Sequence, residues 1–200
     1  MRRIATLALI LLLAPSLKAH AAAIVGKSAP ALELRDADGK TARLDAYKGK
    51  YVVLEWVNPQ CPFVRKHYGS GNMQGLQKKY TEKGVVWLSI LSSAPGKEGY
   101  MKAGEAREWV AEQKAAPTRF LLDPKGKVGR AYGAKTTPHI FVIDPKGTLI
   151  YNGAIDDKPS TDKADIETAK NYLAAALDES MAGGKVATAA TQPYGCRVKY

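Results

Sequence analysis

The sequence predicts an α/β protein with a central mixed β-sheet, helices on both faces and an N-terminal β-hairpin. Three observations carry that prediction. Two continuous apolar runs, "YVVLEWV" from Tyr51 and "VVWLSIL" from Val85, read as strands buried on both faces. Stretches of helical composition follow each of them. Two Asp-Pro-x-Gly turns, starting at Asp123 and Asp144, each end a short apolar strand, with Pro at the second turn position and Gly at the fourth. Strands alternating with helices imply a sheet between helical layers.

The elements follow in order. Arg2 and Arg3, the apolar run from Ile4 to Leu13 and Ala19-His20-Ala21 have the plan of a cleaved signal peptide over 1–21. The run is far short of the ~20 apolar residues that span a bilayer. A single domain is expected over 22–182. It opens with alternation in "LELRDADGKTARL", where Leu32 and Leu34 point one way, Glu33 and Arg35 the other, and Asp38-Gly39 makes the hairpin turn. After the first buried strand a helix is predicted from Pro62, broken near Gly69-Ser70-Gly71 and resumed with Ser70 or Asn72 as cap. After the second, a helix is predicted over 99–116, with Ala106, Trp109 and Val110 on its inner face and Pro117 ending it. "RFLLD", "HIFVID" and "TLIYNG" are further strands. A last helix is predicted over 162–181 from the spacing of Ile166, Ala169, Leu173 and Leu177. The Ala/Thr-rich segment 183–200, which carries Cys196, reads as a mobile tail.

Composition narrows the function. The chain has 200 residues and a net charge of +11, of which Arg2, Arg3 and Lys18 leave with the signal peptide. The basic residues are scattered and not interleaved with aromatics, which argues against a nucleic-acid surface. Two cysteines are too few for a disulfide scaffold, but an exported chain is one in which two cysteines can pair.

Cys61 sits where a buried strand hands over to a helix, the end of the sheet at which α/β proteins bind ligands. Pro62 suits the first helical turn, and a helix N-terminus favours a thiolate. Arg65, Lys66 and His67 add positive potential. On the residues alone, Cys61 is either a working thiol or a structural half-cystine. Asn58 is either a donor to a bound oxygen or a turn residue bonding its own backbone. Trp56 is expected in the core. His139 and His67 make a poor metal set with Cys61, since zinc wants more ligands. Asp156-Asp157 reads as a solvated acidic turn. No cofactor and no metal is expected.

"VGKSAPALELRDADGKTARLDAYKGKYVVLEWVNPQCP" and "GRAYGAKTTPHIFVIDPKGTLIYNGAIDD" together resemble the redoxin branch of the thioredoxin superfamily, which includes the alkyl hydroperoxide reductase/thiol-specific antioxidant proteins. The resemblance spans roughly 24–177. It implies a thioredoxin-like fold, Cys61 as redox centre, and a cis-proline at Thr137-Pro138 packed against it. It offers Cys196 as a resolving cysteine; the alternatives are a permanent bridge tying the tail down and an unpaired or intermolecular thiol. Departures leave the chemistry divided. Val64 replaces the second cysteine of C-x-x-C. Leu54, Asn58 and Pro138 stand where peroxiredoxins carry Pro, Thr or Ser, and Arg. Val57 replaces the first cysteine of the copper-chaperone motif. The expectation is an exported, periplasmic or secreted thiol-disulfide oxidoreductase using Cys61, Cys196, Thr137, Pro138 and Asn58. A thiol peroxidase and a non-catalytic binding module on the same scaffold are the alternatives. Partners would be a protein thiol or disulfide, or a small peroxide, with no nucleic acid and no stable membrane insertion after signal cleavage.

Overall fold

The computed structural model describes residues 23–200, so the expected signal peptide lies outside the described residues. Strands β1 (Glu33–Asp36) and β2 (Thr41–Arg43) form the predicted hairpin, closed by Gly39 at φ 80°, a left-handed conformation that glycine adopts without strain. Leu32 is buried and Leu34 half-buried, while Glu33 and Arg35 face water. Next come β3 (Val52–Trp56), α1 (Pro62–Gly69), α2 (Asn72–Thr81), β4 (Val86–Leu91), α3 (Ala103–Glu112) and β5 (Arg119–Leu122). They are followed by α4 (Lys127–Tyr132), β6 (Thr136–Thr137), β7 (His139–Ile143), β8 (Leu149–Gly153), α5 (Tyr172–Met181) and β9 (Cys196–Arg197).

Seven strands make one mixed sheet in the order β2-β1-β5-β4-β3-β7-β8. β3, β4 and β5 run parallel, and the flanking pairs are antiparallel. Every residue of β3, β4 and β7 is buried. Successive side chains alternate between two cores. Val53, Val57, Trp87, Ile140 and Val142 face α1, α2, α3 and α5. Leu54, Trp56, Leu88, Ile90 and Phe141 face α4 and the N-terminal segment.

Several boundaries depart from the sequence reading. α3 is shorter than 99–116 and ends before Pro117, with Lys114 at φ 50° beyond it. The predicted long last helix is two pieces. A 3-10 segment at Lys163–Thr168 comes first, then α5, whose N-cap Asn171 accepts the Ala174 amide at 2.8 Å. α4 was not anticipated, since six residues are too few to show a helical period. α2 is capped by Gly71 in the left-handed region and by neither Ser70 nor Asn72.

The largest correction concerns segment 183–200, which is packed rather than loose. Val186 is buried in the first core and Val198 in the second, so the segment passes from one layer to the other around the end of the sheet. Between them the Thr191 hydroxyl bonds the Ala154 amide at 2.9 Å and the Tyr151 hydroxyl at 2.7 Å. β9 pairs antiparallel with β6. The Tyr200 hydroxyl donates to the Ala134 carbonyl at 2.9 Å. We call this segment the strap.

Candidate active site

Cys61 is the N-cap of α1, with Pro62 at the first helical position. The approach is a tight loop. The Cys61 amide donates to the Asn58 carbonyl at 3.0 Å, and Asn58 Oδ1 accepts the Gln60 amide at 2.9 Å. Asn58 Nδ2 donates to the Glu98 carbonyl at 3.2 Å. Asn58 is therefore the turn residue of the two readings, bonding its own backbone two residues on. Trp56 is fully buried, and its indole N–H donates to the Ser92 hydroxyl at 3.0 Å.

The Cys61 side chain is 0% exposed, so the thiol is closed to solvent. It remains beside the proline loop: Sγ donates to the Thr137 carbonyl at 2.9 Å, and the Thr137–Pro138 peptide bond is cis. The strap also lies against Thr137. Thr137 is in register with Cys196, and Thr136 with Arg197. Cys61 and Cys196 are both free thiols, Cys196 only partly buried. Burial, a hydrogen bond with the Cys61 side chain and the charge of Cys61 all push the Cys196 thiol well up. Four of the expected residues, Cys61, Thr137, Pro138 and Cys196, thus meet at one point. Asn58 holds the loop that leads there.

The basic cluster after Cys61 is not what its sequence suggests. His67 is fully buried. Its Nδ1 faces the Asn72 amide at 2.9 Å and its Nε2 the Tyr194 hydroxyl at 3.1 Å. Burial lowers it to about 4, so it is neutral at pH 7. Lys66 is 1% exposed and donates to the Lys158 carbonyl at 2.9 Å. His139 is likewise buried and lowered to about 4, with Nε2 on Asn152 Oδ1 at 2.7 Å and Nδ1 accepting the Lys135 amide. Both nitrogens of each ring are occupied, so neither ring is turned toward Cys61. Asp156 is also corrected: it is 2% exposed and accepts from Tyr194 of the strap and from the Lys158 amide at 3.0 Å. Among the described residues no group of three or more His, Cys, Asp or Glu is placed to hold a metal ion.

One residue escaped the sequence reading. Glu55 on β3 is 0% exposed in the first core. Its carboxylate accepts from Trp87 Nε1, Ser89 Oγ and the Tyr68 hydroxyl, each at 2.8 Å, and from Gln77 Nε2 at 3.3 Å. Burial raises it above the usual carboxylate range against the pull of those donors. The signal was present, as Glu55 is the lone charge in "YVVLEWV".

Comparison with known proteins agrees with this geometry. Residues 25–152 match the AhpC/TSA family. The chain is 27% identical to the thioredoxin-like protein YneN of Bacillus subtilis over 71% of this chain and 79% of that one. It is 28% identical to the thiol-disulfide oxidoreductase ResA of Bacillus thuringiensis over 63% and 67%. A hypothetical protein from Sinorhizobium meliloti superposes with a TM-score of 0.75 over 90% of this chain and 96% of that one, at 24% identity, which speaks to the fold. The chain belongs to the AhpC/TSA family, within the redoxin branch of the thioredoxin-like superfamily.

Proposed function

We propose that this oxidoreductase is an exported thiol-disulfide oxidoreductase whose working pair is Cys61 and Cys196. The observation that carries the reading is the pairing of β9 with β6. It sets Cys196 against the same residue, Thr137, whose carbonyl receives the Cys61 thiol. Two thiols so placed convert to a disulfide as a partner disulfide is reduced to two thiols. The relatives named for thiol-disulfide exchange support the same class. Among the described residues no helix is long and apolar enough to cross a membrane. Export rests on residues 1–21 and is checked by the mass of the protein recovered outside the cytoplasm, which should lack them.

The deciding measurement is the reduction potential of the purified pair. A value near about −200 mV marks an exchangeable bond, and one below about −300 mV marks a structural staple and ends the proposal. A second reading, thiol peroxidase, is favoured by the Cys61-Pro62 pair with Val64 in place of a local second cysteine. Peroxide would oxidise Cys61 to a sulfenic acid, and Cys196 would condense with it, releasing water. The engagement of Asn58 with Gln60 and Glu98 weighs against it, because little is left to activate the peroxide. Equimolar peroxide and equimolar oxidised glutathione, added separately to the reduced chain, discriminate. Faster disulfide formation with peroxide selects the second reading.

A further inference from the structure

We propose that Lys199 is the cation that serves the cysteine pair, and that Glu98, its ion-pair partner, holds that charge in check. This deepens the reading of Cys61 and Cys196 as the working pair and rests on it. Four other cations are close in sequence to one cysteine or the other, and each is uncharged or engaged elsewhere. His67 is buried and neutral. The Lys66 ammonium donates to the Lys158 carbonyl at 2.9 Å and lies 6.0 Å from the centre of the Tyr194 ring. Arg65 Nε donates to the Pro59 carbonyl at 3.0 Å. Arg197 follows Cys196 in β9, is exposed, and projects to the opposite face of the strand.

The Glu98–Lys199 ion pair, 2.9 Å between Nζ and Oε2, is tied to the surroundings of both sulfurs. On the Glu98 side, the loop between β4 and α3 lies on the loop that leads to Cys61. The Glu98 carbonyl accepts Asn58 Nδ2 at 3.2 Å, and the Asn58 carbonyl accepts the Cys61 amide at 3.0 Å. The approach requires glycine: Gly99 has φ 76°, and a Cβ there would lie 2.1 Å from Asn58 Oδ1. On the Lys199 side, the Lys199 carbonyl accepts the Ala94 amide at 2.8 Å. Cys196 is three residues back along the chain, a span of at most about 11 Å. Its register sets it against Thr137, whose carbonyl takes the Cys61 thiol. Both charges are felt at the sulfurs. After burial and Cys61, Glu98 is the next group that pushes the Cys196 thiol up, and Lys199 pulls it down. In turn Lys199 is raised first by its bond to Glu98, then by the charges of Glu98, Cys196 and Cys61.

The chemistry gives these charges a use. The sulfur that attacks a disulfide is the thiolate. Burial opposes that charge on Cys196, and a nearby cation offsets the opposition. Both side chains of the ion pair reach water, and such pairs contribute little to stability. Their worth here therefore lies in charge and not in grip on the strap. The two roles have different signatures. Cutting the ion pair from either end loosens the strap alike, so a grip changes thiol reactivity with one sign. A charge effect changes it with opposite signs: Glu98→Gln leaves the cation beside the thiol, and Lys199→Gln leaves the anion.

The test uses the mature chain in a Cys61→Ala background, where Cys196 is the remaining thiol. Below the thiol's titration, alkylation by iodoacetamide follows the thiolate fraction. We expect Glu98→Gln to speed alkylation about threefold or more, Lys199→Gln to slow it by about the same factor, and the double variant to fall between them. Raising the salt from about 0.02 to about 0.5 M should shrink both differences, because salt screens exposed charges. Lys199→Arg, which keeps the charge, should stay within about twofold of the parent. Changes of one sign in both single variants, or none in either, overturn the proposal, as does a Lys199→Arg rate as low as that of Lys199→Gln. The comparison is made among chains that keep the parent's circular dichroism. It is read on a single thiol, so its failure leaves the working pair standing. A structural potential for the Cys61–Cys196 bond instead ends the pair, and with it the role of Lys199 in exchange.

Discussion

Glu55 carries a charge into a strand with no exposed residue, and it is tolerated because four donors converge on it. Replacing it by leucine removes the acceptor of the Trp87, Ser89 and Tyr68 donors, while Gln77 keeps the Tyr68 hydroxyl at 3.1 Å. An unsatisfied buried donor costs about 1–3 kcal/mol, and such costs do not add fully. Glu55→Leu should therefore destabilise by at least about 3 kcal/mol, read as a fall of roughly 6–12 °C in the melting midpoint. A midpoint within 2 °C of the parent would mean the network contributes little. The sequence showed the anomaly but not its resolution, because the donors lie 13 to 34 positions away and only the packing of α1, α2 and β4 gathers them. Cys61 was legible for the opposite reason. Its setting, an apolar strand, a turn and Cys-Pro, is local in sequence, whereas its burial depends on what the far end of the chain does.

At the scale of elements, the strap was the least legible part of the molecule. An Ala/Thr-rich stretch has no periodic apolar face, so nothing in its pattern announces packing. Its anchors are single residues at irregular spacing: Val186, Thr191, Tyr194, Val198 and Tyr200. Each is received by a site that other elements build, and hydrophobic periodicity cannot see such complementarity. Strands β3, β4 and β7 were readable because burial on both faces leaves a continuous apolar run. The Asp-Pro-x-Gly turns were readable because their hydrogen bonds, from Gly126 to Asp123 and from Gly147 to Asp144, are local. The break before α5 was missed because the spacing of Ile166 and Ala169 mimics a helix through a 3-10 segment, although Asn171 was available as a cap. Gly153→Ala tests the seat directly. Its Cβ would meet the backbone of Thr191 at 2.7–2.8 Å as well as the side chain, so the strap must shift. We expect a loss of about 1–3 kcal/mol and faster hydrogen exchange in 186–200 than in β3. Unchanged protection in that segment would show that the glycine is dispensable.

For the whole molecule, acid stability follows from two buried histidines. His67 and His139 titrate near 4 in the fold against 6.5 in an unfolded chain, so the unfolded state binds more protons between those values. Their contribution is complete above about pH 6.5 and is lost as pH falls through about 4. The shift corresponds to an order of 3 kcal/mol per histidine. Glu55 acts in reverse: its folded value is raised, so its contribution is present below 4.5 and lost as pH rises through the raised value. The unfolding free energy should fall between pH 6.5 and 4, and His139→Gln should roughly halve that slope. An equal slope in the variant would remove His139 from the account.

The proposed bond would also stabilise the whole chain. Cys196 follows Cys61 by 135 residues. In the chain-entropy picture, closing a loop of that size restricts the unfolded state by about 4–5 kcal/mol. The oxidised form should melt well above the reduced one, and equal midpoints would argue that the bond strains the fold.

The placement of Tyr200 has a consequence for the sulfurs' appetite for electrons. Its ring lies against Gly126 and Gly129 on the α4 side of the sheet, four residues beyond Cys196, with Arg130 4.5 Å above its centroid. The ring is seated there with both thiols free, and the proposed bridge at Cys196 would further restrict its leaving. A change that makes the hollow less welcoming would therefore weigh more on the bridged form, in which the ring has less freedom to leave. Each ~1.4 kcal/mol of that difference raises the midpoint potential by about 30 mV. An aromatic side chain resting in a glycine-lined dent, in contact with neither cysteine, would act as the dial that sets how readily the pair gives up its electrons.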